Sequence, residues 1–203
     1  MNKGKKYYFV GIAGVSMSAL AQLLIKNGNI VEGSDLNPEA KIPNVKIYYE
    51  HNAENLKDDI DYLVYNSAIP ENNPEIEKAR KLGIPILSRA ELLAEIASEY
   101  KNLISISGMH GKTTTTEMIA EVFLEAGFEP TIHIGGISNC FNSNLYIGKK
   151  KFFITEACEY KDSFLTLKSD VGVVLNIEPE HLDYFKNFEN IKNSFENLQI
   201  IQK

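Results

Sequence analysis

The chain has 203 residues, of which 44% are hydrophobic and 24% charged, so a packed core is expected and disorder is excluded. Its formal net charge of −6 argues against a general nucleic-acid-binding protein, because such proteins usually carry a basic face. No stretch approaches the roughly 18 apolar residues of a membrane span, so we expect a cytoplasmic protein with no membrane partner.

The sequence begins with a strand pattern followed by a helix pattern. The apolar run Tyr7–Ile12 predicts a buried strand. Apolar residues then recur at three- and four-residue spacing from Met17 to Ile25, which predicts a helix that ends at Asn27-Gly28. Three later runs are predicted as further strands, at Asn29–Gly33, Asp61–Tyr65 and Pro85–Leu87.

Two further helices are indicated by their end signals. Asn73-Pro74 predicts the start of a helix, and Gly83 its end. Ser88 and Glu91 have the S-x-x-E spacing of a capping box at the start of the next helix. Strands that alternate with helices in this way predict a parallel sheet with right-handed crossovers, which closes near Tyr100.

The same alternation returns after a predicted domain boundary at residues 99–102. A strand at residues 103–107 is followed by a glycine loop and a helix from Lys112 to Ala126. The remaining predicted elements are strands at Lys151–Thr155 and Val171–Leu175 and a helix at Phe188–Ile201. We therefore expect an α/β chain with a Rossmann-like parallel-sheet domain at residues 1–100 and an incomplete P-loop domain at residues 101–203.

The segment between the strand and helix of the second domain, SGMHGKTTTT, has the pattern of a phosphate loop. Gly108 and Gly111 allow a tight turn whose N–H groups converge on phosphate oxygens. Lys112 supplies a positive charge for the β- and γ-phosphates, and the Thr113 hydroxyl suits Mg²⁺. The alternative, a glycine turn with a solvated lysine, leaves the four-threonine run unexplained. The predicted ATP-binding residues are Gly108, Met109, His110, Gly111, Lys112, Thr113 and Thr114.

A second glycine loop, GIAGVSMS at residues 11–18, follows the first predicted strand. Asp35 ends the second strand, where an acidic residue commonly meets a ribose hydroxyl. Taken alone, the N-terminal half of the chain therefore also fits a dinucleotide-binding oxidoreductase, or a glycine turn that binds no ligand.

Several motifs, in the same order, resemble those of the Mur ligase family. They are GIAGVSMS (11–18), NSAIPENN (66–73), GMHGKTTTT (108–116), EACEY (156–160) and NIEPEHLDY (176–184). The chain departs from the family pattern at Ala13 and Ser16, which replace glycines, at Met109, which replaces threonine, and at Glu180, which replaces aspartate.

The resemblance implies a first domain that binds a UDP-sugar and a second that binds ATP. The chain is similar above all to the members that join L-alanine to UDP-N-acetylmuramate, and these two compounds are therefore the implied substrates. The implied UDP-sugar-binding residues are Gly11, Gly14, Ser16, Met17, Ser18, Asp35, Ser67, Ala68 and Ile69.

The resemblance also implies a set of catalytic and metal-binding residues, with ATP and Mg²⁺ as cofactors. Lys112 and His181 are the implied catalytic residues, and Thr113, Glu156 and His181 the implied Mg²⁺ ligands. Glu156 also follows an apolar strand, where an acid near a phosphate loop can hold Mg²⁺. A solvated Glu156 and a structural His181 are the alternatives. Glu159 fits a functional or a structural role equally well.

Ligases of this family have three domains and more than twice this length. The chain corresponds to the first domain and part of the second, so we expect no ligation by this chain alone. It could be a fragment, a truncated product or a binding-only paralogue. A small P-loop kinase and a sibling ligase that attaches a tripeptide are further alternatives.

Overall fold

The computed structural model describes residues 3–201. The chain divides into two compact units, of which the first ends at Leu93 and the second begins at Ala94. Each unit contains a five-stranded sheet. No helix within residues 3–201 is long and apolar enough to cross a membrane.

The first unit is a fully parallel sheet with helical crossovers, which confirms the predicted Rossmann-like α/β fold. Its strand order is β3-β2-β1-β4-β5, and every neighbouring pair is parallel. The order reverses at β1, so the carboxyl ends of β1 and β4 border the crevice where such sheets bind ligands. The elements are β1 (Lys6–Val10), α1 (Val15–Lys26), β2 (Ile30–Ser34), β3 (Lys46–Tyr48), β4 (Tyr62–Tyr65), α2 (Pro74–Leu82) and β5 (Ile86–Ser88). The helix α3 (Arg89–Ala97) begins in the first unit and ends in the second.

The predicted helix-end signals act as expected. The Asn73 side chain accepts hydrogen bonds from the first-turn N–H groups of α2, and Gly83 ends that helix with a φ of +69°. The Glu91 N–H donates to Ser88 Oγ at 3.2 Å, while the Ser88 N–H donates to Glu91 Oε2 at 2.7 Å. These reciprocal bonds form the predicted capping box at the start of α3.

A buried carboxylate lies in the core of the first unit. Glu75, in the first turn of α2, is 0% exposed. It accepts hydrogen bonds from the Tyr8 hydroxyl at 2.7 Å, the Ser34 hydroxyl at 2.7 Å and the Asn55 amide at 3.2 Å, and His51 Nδ1 lies 3.2 Å away. These hydrogen bonds connect α2 to the central strands of the sheet, since Tyr8 lies on β1 and Ser34 on β2.

The second unit is a mixed sheet with strand order β10-β6-β9-β7-β8. The pairs β10–β6, β6–β9 and β9–β7 are parallel, and β7–β8 is an antiparallel hairpin. The elements are β6 (Asn102–Ser107), α4 (Lys112–Glu125), β7 (Thr131–Ser138), β8 (Ser143–Tyr146), β9 (Phe152–Glu156), a 3-10 segment (Tyr160–Thr166), β10 (Val171–Val174), α5 (Leu182–Phe185) and α6 (Phe188–Ile201). No strand was predicted at residues 46–48 or 131–146, where β3, β7 and β8 lie.

Candidate functional site

The candidate phosphate loop, residues 108–111, connects β6 to the start of α4. Gly108 and Gly111 have φ values of +133° and +83°, which L side chains rarely adopt. A Cβ on Gly108 would lie 3.1 Å from Leu175 Cβ and 3.2 Å from the Asn176 backbone nitrogen. Both the backbone conformation and the close packing against the segment after β10 therefore require glycine at 108.

Asn176 holds this loop in place. It is the second residue after the end of β10. Its Oδ1 accepts from the His110 N–H at 2.9 Å, and its Nδ2 donates to the His110 carbonyl at 3.0 Å. Its backbone carbonyl also accepts from the Met109 N–H at 3.4 Å. Asn176 begins the motif at residues 176–184 but has no predicted role, although a polar residue after the strand beside β6 is a signal that could have indicated one.

Lys112 and His181 are connected through Glu159. The Lys112 ammonium donates to Glu159 Oε2 at 2.9 Å and to the carbonyl oxygens of Gly108 and Met109 at 2.5 and 3.2 Å. The other oxygen of Glu159 lies 3.1 Å from His181 Nε2. Glu159 is only 1% exposed, so its carboxylate lies almost fully shielded from solvent between the two predicted catalytic side chains.

Two tyrosines join the segment after β9 to the segment that contains His181. Tyr160 donates to Asp183 Oδ2 at 3.2 Å, and Tyr184 donates to Asp162 Oδ2 at 2.6 Å. These hydrogen bonds raise the pKa of both phenols. The Tyr160 ring also lies 5.0 Å from the His181 ring. The crossed pairs therefore hold His181, which has a left-handed φ of +53°, beside the 3-10 segment.

Glu156 and Thr113 both approach the two glycines of β7. Glu156 ends β9, and its Oε1 accepts from the Gly135 N–H at 2.8 Å. A Cβ on Gly135 would come within 2.8 Å of Glu156 Oε2, and one on Gly136 would lie 3.5 Å from the Thr113 methyl group. Gly135 therefore leaves room for the Glu156 carboxylate, whereas a Cβ at Gly136 would make only an ordinary contact with Thr113.

The remaining residues of the phosphate loop differ in exposure. Met109 is buried, so its side chain packs inside the unit. His110 is exposed, and its Nε2 lies 3.6 Å from Glu178 Oε2. Thr114 is exposed in the first turn of α4.

In the first unit, the glycine loop after β1 meets the loop after β4. Gly11 has a φ of +76°, and a Cβ there would lie 3.2 Å from both the Asn66 amide nitrogen and Ile69 Cδ1. Ser67 and Ala68 are exposed in the second loop, where the Ala68 N–H donates to Asn66 Oδ1 at 2.9 Å. The structure thus brings together the two segments predicted to bind the UDP-sugar.

Asp35 supports the first loop. Its Oδ2 accepts from the Ala13 N–H at 2.7 Å, and its Oδ1 accepts from the Asn37 N–H at 2.9 Å. Gly14 is the N-cap residue of α1, and no side chain caps the first turn of that helix. Within that turn Met17 is 1% exposed, so its side chain belongs to the core.

The two serines at the start of α1 have different partners. Ser18 Oγ donates to the Val15 carbonyl at 2.9 Å, within its own helix. Ser16 Oγ accepts from the Arg89 guanidinium at 3.2 Å. Arg89 belongs to none of the motifs or predicted site residues.

Within residues 3–201, no group of three or more His, Cys, Asp or Glu side chains is arranged to hold a metal ion. A Mg²⁺ ion bound to nucleotide phosphates usually takes only one or two carboxylates from the protein and keeps several waters. A site at Thr113 and Glu156, as predicted from the sequence, would contain one carboxylate.

Comparison with known proteins relates both units to one family. Residues 6–101 match the Mur ligase family catalytic domain, and residues 106–200 match the Mur ligase middle domain. The UDP-N-acetylmuramate–L-alanine ligase of Acetivibrio thermocellus is 49% identical over 199 residues, which are 96% of this chain and 42% of that protein. The chain therefore spans less than half the length of this relative.

Solved structures show the same relationship. The UDP-N-acetylmuramate–alanine ligase of Thermotoga maritima has a TM-score of 0.86 at 29% identity, over 97% of this chain and 47% of that one. A murein peptide ligase of Psychrobacter arcticus has a TM-score of 0.85 at 25% identity, over 98% of this chain and 47% of that one. The two domain matches cover the first sheet, all of the second sheet except residues 102–105, and every motif described above, and the chain belongs to the Mur ligase family.

Proposed function

We propose that this chain provides the sugar-nucleotide and phosphate-binding parts of an ATP-dependent UDP-N-acetylmuramate–L-alanine ligase of peptidoglycan synthesis. The observation that carries the proposal is the phosphate loop whose lysine, Lys112, shares the buried Glu159 with His181. It is supported by the 49% identity to a relative of that name.

ATP fits the second unit through its phosphates. The loop turns at two left-handed glycines directly before α4, so the first-turn N–H groups of α4 provide donors and a positive dipole end. The N–H groups of Met109 and His110 bond Asn176 and fix the loop instead. Lys112 adds a positive charge at the same point. We assign the phosphates to residues 108–114.

Mg²⁺ fits the side chains near this loop. The Thr113 hydroxyl and the Glu156 carboxylate are hard oxygen ligands, which Mg²⁺ prefers, and His181 adds a nitrogen ligand. In the part of the chain that the structure describes, Glu180 Oε2 is buried without a hydrogen-bond partner, directly before His181. An unpaired buried carboxylate oxygen is consistent with a cation nearby. Bound Mg²⁺ would neutralise charge on the phosphate oxygens.

The proposed reaction has two steps and needs no protein nucleophile. The lactyl carboxylate of UDP-N-acetylmuramate attacks the γ-phosphorus of ATP, which forms an acyl phosphate and releases ADP. The amine of L-alanine then attacks the acyl carbon, forms the amide and releases phosphate and a proton. Lys112 stabilises the charge of the transferring phosphoryl group, and the surrounding donors align the reactants.

The first unit is proposed to hold the UDP-sugar at the crevice between β1 and β4. The diphosphate is assigned to two segments that meet there, Ser16 to Ser18 and Ser67 to Ile69. Gly11 and Gly14 keep the crevice open, and Asp35 is assigned to the ribose.

Calorimetry tests both halves of the proposal. The purified chain is titrated with UDP-N-acetylmuramate and, separately, with Mg-ATP. We expect the sugar nucleotide to bind and Mg-ATP to bind weakly, with Lys112→Ala abolishing only the latter. Lys101→Ala, an exposed lysine of the same unit, is the matched control. A chain that binds no sugar nucleotide would refute the assignment of the first unit.

A second candidate is a ligase that attaches a peptide to the same sugar. The TM-score of 0.85 to a murein peptide ligase favours it, although the identity is 25%. Both candidates share the UDP-sugar site, so binding does not distinguish them. A ligation assay of the protein with its remaining domains, supplied with L-alanine or a tripeptide, decides between them.

A further inference from the structure

Arg89 reaches the glycine loop of the first unit from a third strand. Its Nη1 donates to Ser16 Oγ at 3.2 Å. Arg89 directly follows β5, which lies parallel to β4 on the side away from β1. The carboxyl ends of β1, β4 and β5 therefore bring the glycine loop, the loop after β4 and Arg89 to one edge of the sheet.

The position of Arg89 is not explained by helix stability. It is the first residue of α3, where the positive end of the helix dipole disfavours a cation. Glu91 in the same turn uses its carboxylate to cap the Ser88 N–H. A positive charge is thus kept at a helix start that favours a negative one.

The glycine loop needs a positive charge if it is to bind a diphosphate. Its sequence from Gly11 to Ser18 contains no lysine, arginine or histidine. The Asp35 carboxylate, bonded to the Ala13 N–H, places a negative charge against it. Backbone donors would then face several phosphate charges with an acid behind them, which is unfavourable without a compensating cation.

We propose that Arg89 is a binding residue for the diphosphate of a nucleoside-diphosphate sugar, with Ser16 orienting its guanidinium. The guanidinium has five N–H donors in a planar fork, and the hydrogen bond to Ser16 uses one of them. The same fork binds phosphate oxygens in a bidentate manner. This inference rests on the proposed function of the first unit.

The test compares two ligands that differ only in the diphosphate. The full chain is titrated with UDP by calorimetry and with uridine by NMR chemical shift. Arg89→Gln is expected to weaken UDP binding by at least about tenfold, the scale of a lost charge-assisted contact, and to leave uridine binding unchanged. Arg80→Gln, an exposed arginine on α2, is the matched control and should bind both ligands like the wild type.

Other outcomes separate the possible failures. If Arg89→Gln weakens UDP and uridine equally, Arg89 only shapes the loop and the inference is wrong. If the variant binds UDP like the wild type, the inference is also wrong while the proposed function stands. If the wild-type chain binds no UDP, both fail. Should the variant not fold, NMR of the wild-type arginine side chains replaces it, because an Arg89 signal that UDP does not shift contradicts the proposal.

Discussion

Lys112 donates a 2.9 Å hydrogen bond to Glu159, a carboxylate that is only 1% exposed. The lysine side chain is itself 16% exposed, so most of the pair is withdrawn from water. Removal of one partner from such a pair leaves the other charge buried without compensation. The pair therefore makes the shape of the phosphate loop depend on a residue 47 positions along the chain.

The first prediction concerns this pair. Glu159→Gln should lower the free energy of unfolding by about 2 kcal/mol, because Lys112 and His181 lose the anion between them. Urea denaturation measures the change. Glu121→Gln, an exposed glutamate on α4, should change it by less than about 0.5 kcal/mol. Equal losses in the two variants would contradict a special role for Glu159.

The second prediction concerns alkaline pH. Tyr8 donates to Glu75 at 2.7 Å, and both residues are fully buried. Burial, with the charge of Glu75, raises the pKa of the Tyr8 phenol far above its ordinary value of 10.0. Folded Tyr8 thus holds its proton more tightly than unfolded Tyr8. Its contribution to stability is complete below pH 10 and is lost as the pH rises further, by about 1.4 kcal/mol per pH unit.

Tyr8→Phe tests this pH dependence. The variant should be less stable than the wild type at pH 8, because Glu75 loses a donor, and the difference should shrink between about pH 10 and 11.5. Urea denaturation across this range measures it. Tyr49→Phe removes a half-exposed phenol that donates to the Ala40 carbonyl and should keep the wild-type slope. A difference between Tyr8→Phe and wild type that is constant with pH would refute the expectation.

Elements that depend on local chemistry could be predicted from the sequence. Asn73 and Gly83 bound α2, and Ser88 with Glu91 caps α3, as expected. Each signal acts through hydrogen bonds or dihedral angles within a few residues, so no tertiary information is needed. The phosphate loop belongs to the same class, since a strand, two glycines and a helix start are contiguous.

Contacts between distant segments could not be predicted in this way. Asn176 and Arg89 reach their loops from neighbouring strands. The signal for Asn176, a polar residue after the strand beside β6, can be used only when the strand order is known, and no local pattern marks Arg89. The strand β7 was also missed, since Gly135 and Gly136 weaken its strand pattern. Glycine at 135 has a tertiary cause, because a Cβ there would lie 2.8 Å from Glu156 Oε2.

The third prediction concerns the glycine of the phosphate loop. Gly108→Ala should lower the free energy of unfolding by more than about 2 kcal/mol, because it combines an unfavourable φ with a Cβ that would lie 3.1 Å from Leu175. Gly127→Ala is the matched control. It has a φ of +75° with nothing within 4 Å of its Cβ, so it should cost only about 1 kcal/mol of strain. Urea denaturation measures the free energy of unfolding of both variants, so the difference between them is the cost of crowding at residue 108. Equal losses would show that the packing of Gly108 against Leu175 is unimportant.

The last prediction concerns Asn176, whose amide bonds both backbone groups of His110. Asn176→Ala should weaken Mg-ATP binding about tenfold, because the loop backbone would no longer be fixed before the ligand binds and its ordering would cost binding free energy. Calorimetry measures the affinity in a form of the protein that binds Mg-ATP. Asn197→Ala, an exposed asparagine on α6, should leave it unchanged. If Asn176→Ala lowers the unfolding free energy but binds Mg-ATP like the wild type, Asn176 supports the fold alone and the loop keeps its shape without it.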